Sequence, residues 1–158
     1  MSLPKITTSG LMNVANNNTE LACAIYENKT RIGGHWETLV ENLKFISTID
    51  TIESLRISFI VQKDNYMEMS LCADLIYSVF KERIQDRTSN KKTALFFGRI
   101  AKWTHMTDKD MEEKDVADPS HSKHSDFIRH LKQVYGYRNK MYIQSNLESF
   151  LDSKLQFI

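Results

Sequence analysis

Residues 54–73 read SLRISFIVQKDNYMEMSLCA, and the fold class turns on them. Leu55, Ile57, Phe59 and Val61 take every second position, with Arg56, Ser58 and Gln62 on the other face. Lys63-Asp64-Asn65 supplies turn chemistry, after which Met67, Met69, Leu71 and Ala73 alternate with Tyr66, Glu68, Ser70 and Cys72. Successive side chains on a strand point to opposite faces, so two such runs joined by three turn-forming residues predict an antiparallel hairpin. A helical reading of 52–60 also fits Ile52, Leu55 and Phe59, with Asp50 to Glu53 as a capping box. The two matched alternating runs outweigh it.

On either side the period changes. Upstream, residues 1–19 are polar and aperiodic and read as a flexible N-terminal segment. Leu21, Cys23 and Ile25 suit a short strand, and Gly33-Gly34 a turn. Trp36, Leu39, Val40, Leu43 and Ile46 share one helical face. Downstream, Leu75, Ile76, Val79, Phe80 and Ile84 define a helix. The apolar run 94–100 that follows Lys91-Lys92 reads as a central strand. Residues 104–125 mix charges of both signs and form a charged loop. Phe127, Ile128, Leu131, Val134 and Tyr135 make a second amphipathic helix, and a last one starts at Ser145 with Glu148 completing a capping box. The expected fold is therefore α+β: a small antiparallel sheet with a central hairpin at about 54–73, packed by helices, with C-terminal helices. Residues 20–158 are expected to form a single domain.

Composition bounds what such a domain does. The chain has 158 residues, 41% apolar and 26% charged, with 21 basic and 20 acidic side chains and a net charge of +1. That is not the field of a general nucleic-acid binder, although it leaves room for a local basic patch. No apolar run approaches the roughly 18 residues of a membrane span, and the opening residues lack a charged-then-apolar secretory layout. An intracellular, non-secreted protein is expected. Cys23 and Cys72 then read as reduced, small buried hydrophobes, and the sequons at Asn17 and Asn28 as accidental.

Catalytic constellations are sparse. His121, His124 and His130 lie close in sequence, yet no cysteine or suitably spaced carboxylate joins them, so no metal site and no cofactor is expected. There is no Gly-x-Ser-x-Gly elbow, His-Glu-x-x-His motif or phosphate-cradling glycine loop. Arg138-Asn139-Lys140-Met141-Tyr142-Ile143-Gln144 resembles the terminal-helix signature of HEPN-domain ribonucleases. That resemblance implies an arginine steadying a phosphorane beside a base on the ribose 2′-hydroxyl. Gln144 stands where the family has its histidine, so an RNA endonuclease of this type would be impaired or inactive.

Three further blocks occur in a telling order. These are the Thr51-Ile52-Glu53 lead-in to the strand at Leu55 to Val61, the helix Ala73 to Phe80, and Lys92-Thr93-Ala94-Leu95-Phe96-Phe97-Gly98-Arg99-Ile100. In that order and spacing they resemble the matrix proteins of rhabdoviruses, in a short, divergent form of plant- or arthropod-virus type. The chain has only Pro4 and Pro119, so it lacks the Pro-Pro-x-Tyr motif common in that family, and Lys5 is the sole basic residue before Lys29. The resemblance implies a non-enzymatic assembly protein of host cell and virion. Such a protein self-associates and links the viral nucleocapsid to the anionic inner surface of the envelope. Lys91, Lys92, Arg99 and Lys102, with Trp103 as interfacial anchor, are the expected membrane- or nucleocapsid-binding residues. A small adaptor with a single protein partner is the third reading.

Overall fold

The structure, a computed structural model, describes residues 32–150. The N-terminal segment 1–19 and the short strand expected at Leu21, Cys23 and Ile25 lie outside them. Helix α1 (Trp36–Ser47) leads to strand β1 (Ser54–Val61), helices α2 (Met69–Val79) and α3 (Lys81–Gln85), and strand β2 (Lys92–Arg99). Helices α4 (Asp108–Lys114) and α5 (His124–Tyr135) precede strand β3 (Tyr142–Ser145). The three strands form one sheet in the order β1-β2-β3, and both pairings are parallel.

The expected antiparallel sheet and its hairpin at 54–73 are therefore not formed. The first alternating run is indeed a strand, but after the turn the chain enters a short 3-10 turn (Tyr66–Glu68) and then α2. Asn65 drives this change of direction. Its buried side chain donates to the Ile60 carbonyl and accepts from the Gln62 amide, both at 2.9 Å. These bonds close the end of β1, so no ladder continues into the second run. From that second run into the rest of α2, Met69, Cys72, Ala73 and Ile76 are completely buried. Their i, i+3, i+4, i+7 spacing is the helical face that the alternation of Met67, Met69, Leu71 and Ala73 concealed. Met, Leu and Ala are also good helix formers, whereas β1 carries Ile, Phe and Val.

β2 is the central strand, as its continuous apolar run suggests. On the odd-numbered face Ile57, Leu95 and Ile143 stand side by side across the three strands, all buried. Phe59 and Phe97 meet edge to face at 5.6 Å. Helix α2 packs on this layer and α5 packs on α2. Phe127, Leu131 and Val134 of α5 are fully buried. Two hydroxyls tie the layers together: Tyr66 donates to Asp126 at 2.7 Å and Tyr137 to Asp74 at 2.6 Å.

The 104–125 segment contains α4, held by a reciprocal Thr107–Asp110 capping box. His121 and His124 are bonded to the backbone carbonyls of Glu113 and Val116, which folds the end of the segment back onto α4 and the turn after it. At the C-terminal side, Ser145 ends a strand instead of opening a helix, and Glu148–Phe150 is a single 3-10 turn. Leu147 is nonetheless buried, as its apolar character requires.

Candidate functional site: a cationic cleft at the leading edge of the sheet

Because the strands are parallel, their N-terminal ends lie together, and each brings basic residues. Arg56 comes from β1, while Lys92 opens β2 and Lys91 immediately precedes it. Arg138 and Lys140 come from the turn before β3, and Arg83 and Arg87 from α3 and the loop after it. These seven side chains line a cleft of about 780 Å³ whose walls, among the described residues, include no carboxylate and no histidine. Arg56, Ala94 and Tyr142 are in register across the strands, so the small Ala94 forms the floor between two larger side chains.

Some of these cations also hold the cleft's shape. Arg83 donates from Nε to the Thr93 hydroxyl at 2.7 Å and from a terminal nitrogen to the carbonyls of Glu53 and Lys92. Partial burial lowers its pKa, though a guanidinium stays charged throughout the physiological range. Lys140 Nζ lies 4.7 Å from the Tyr137 ring centre and 4.8 Å from that of Tyr77. The Arg138 guanidinium stacks on Tyr135 at 3.9 Å. Lys91 pairs at 3.2 Å with the exposed Asp50. Arg87 and Lys92 have no ion-pair partner among the described residues, so their charge is directed at solvent.

The structure divides the five residues expected to bind a membrane or nucleocapsid. Lys91 and Lys92 sit in the cleft, whereas Arg99 is at the opposite end of β2, about 23 Å away at the rise of an extended strand. Arg99 grips the buried carboxylate of Asp115 through two of its nitrogens, at 2.7–3.1 Å, which raises its pKa further. Lys102 pairs with Asp108. Trp103 is 63% exposed beside His105, in the segment after β2. Arg56, Arg83 and Arg87 were not among the expected site residues, and Arg138 and Lys140 stood out only as part of a nuclease-like motif. Basic residues at or just before each strand were the available signal, but they converge only if the strands run parallel.

Two other groups lie outside the cleft. Glu68 is 6% exposed, its Oε2 has no hydrogen-bond partner among the described residues, and burial pushes its pKa to about 8. Cys72, one turn on, is a buried free thiol that burial and Glu68 together hold protonated. Among the described residues no three His, Cys, Asp or Glu side chains gather as a metal site, and no helix is long and apolar enough to cross a membrane. Comparisons with protein-family models, curated proteins and solved structures find no match to this chain.

Proposed function

We propose that the protein binds nucleic acid, holding the phosphate backbone of an RNA in the cationic cleft. One observation carries this reading: a chain of net charge +1 concentrates seven cations and, among the described residues, no carboxylate on the walls of one cleft. Self-repulsion makes such a cluster unfavourable unless an anion offsets it, and a polyanion does so while releasing its own counterions. The residue types suit the task. Arginine forks bind phosphate oxygens in pairs, and lysines act as mobile point charges.

Binding rather than cleavage is the favoured chemistry. Arg138 and Gln144, the two ends of the ribonuclease-like segment, both line the cleft. Among the described residues that line the cleft, none is a histidine or a carboxylate that could take the proton from a 2′-hydroxyl. Of the roles implied by the matrix-protein resemblance, contact with a ribonucleoprotein is the one this cleft supports.

The test is fluorescence anisotropy with a labelled RNA strand and the double variant Arg87→Glu/Lys92→Glu. Both side chains are free of ion pairs among the described residues, so folding should survive, as circular dichroism would verify. A loss of affinity of about tenfold or more is expected. Unchanged affinity in a folded variant contradicts the reading.

A further inference from the structure

Parallel sheets are normally covered on both faces, because crossover helices pack on each side. Here α2 and α5 stack together on the odd-numbered face. The even-numbered face keeps Arg56 and Tyr142 exposed and Ser58, Ile60, Phe96 and Gln144 partly so. Tyr142 is 65% exposed, and it stands in the same row as Arg56 and Ala94 on the cleft floor. The next row is Ser58, Phe96 and Gln144.

Open among the described residues, this face is also shaped. Gly98 follows Phe96 on the same side of β2, and a Cβ there would lie 2.9 Å from Phe96 Cε1 and 3.0 Å from Ile60 Cδ1. The missing side chain lets the Phe96 ring lean along the sheet over Gly98. The Arg56 guanidinium lies 4.9 Å from the centre of that ring. A second cleft of about 580 Å³ runs past Phe96, Tyr142 and Gln144, and it shares Arg138, Met141, Tyr142 and Gln144 with the cationic one. Aromatic surface, a side-chain amide and a cationic channel thus form one continuous surface.

We propose that this face receives the bases of a single-stranded nucleic acid whose phosphates occupy the cleft, with one base stacked on Tyr142 and the Gln144 amide facing a base edge. The proposal rests on the phosphate-binding reading above and specifies its ligand. Stacking on an exposed aromatic tolerates any base, whereas a duplex keeps its bases stacked on one another and offers none to Tyr142.

Three probes of equal length separate the possibilities: a single-stranded oligouridylate, an abasic strand of the same charge, and a duplex RNA. Affinities are measured for the wild type, Tyr142→Ala and Tyr142→Phe, each checked for folding by thermal melt. The wild type should bind the oligouridylate about tenfold more tightly than the abasic strand. Tyr142→Ala should abolish that preference, and Tyr142→Phe should keep it. Equal affinity for the two single strands, a preference untouched by Tyr142→Ala, or a duplex bound as tightly as the oligouridylate would each overturn the stacking proposal while leaving the phosphate-binding reading intact. If no probe binds, the phosphate-binding reading itself falls, and this proposal with it.

Discussion

Glu68 is a carboxylic acid buried beside a thiol with one oxygen unpartnered among the described residues, and its proton is held until about pH 8. In the unfolded chain the same group ionises near its ordinary value of 4.5. Between those two values folding takes up a proton, so this group's contribution to stability is complete below 4.5 and declines as pH rises toward 8. Glu68→Gln should flatten that decline and be more stable than the wild type at about pH 8; urea midpoints measured from about pH 5 to about pH 8 read this directly. Arg99 gives the opposite lesson about exposed-looking basic residues. Arg99→Met strands the buried Asp115 carboxylate and should cost about 2 kcal/mol of stability, with RNA affinity unchanged because Arg99 is not in the cleft. Sequence adjacency placed Arg99 with Lys92, yet a strand carries residues seven apart to opposite ends of a sheet. The burial of Cys72 could be read from its apolar company, but the destination of a charge could not.

At the level of elements, the long amphipathic segments were the legible ones. Helices α1 and α5 sit where the spacing of Trp36 to Ile46 and of Phe127 to Val134 puts them. β1 and β2 follow from their β-branched and aromatic runs. The element after β1 was misread because a run of apolar residues at 67, 69, 71 and 73 satisfies a period of two while 69, 72, 73 and 76 satisfy a period near 3.6. What decides between them is Asn65, whose two backbone hydrogen bonds close the strand and commit the chain to a βα unit. Asn65→Ala should therefore lower stability by about 2 kcal/mol, since it leaves the part-buried Ile60 carbonyl and the buried Gln62 amide without those bonds. β3 escaped notice because four residues are too few to display a period, and Ile143 alone faces the core there. Leu131→Ala, in the middle of the α5 face, should cost about 2–5 kcal/mol through the cavity it opens. Chemical denaturation checks both.

For the whole molecule, strand direction and function are one question. In an antiparallel hairpin the basic residues near Ser54 and those near Lys92 have no reason to meet. In a parallel sheet they share an edge, and the turn before β3 adds Arg138 and Lys140 to it. Misreading one turn thus hid the cleft as well as the fold, although composition had left room for a local basic patch. The proposed role requires that concentration of charge to be a phosphate site. The most direct measurement is the dissociation constant of a single-stranded RNA across a series of salt concentrations. If about five cleft cations displace counterions, log affinity should fall with log salt at a slope of about −3.5, and Lys92→Gln should make it shallower by about one unit or slightly less. A slope near zero, or one that Lys92→Gln leaves unchanged, would contradict the claim that the cleft holds the phosphate backbone.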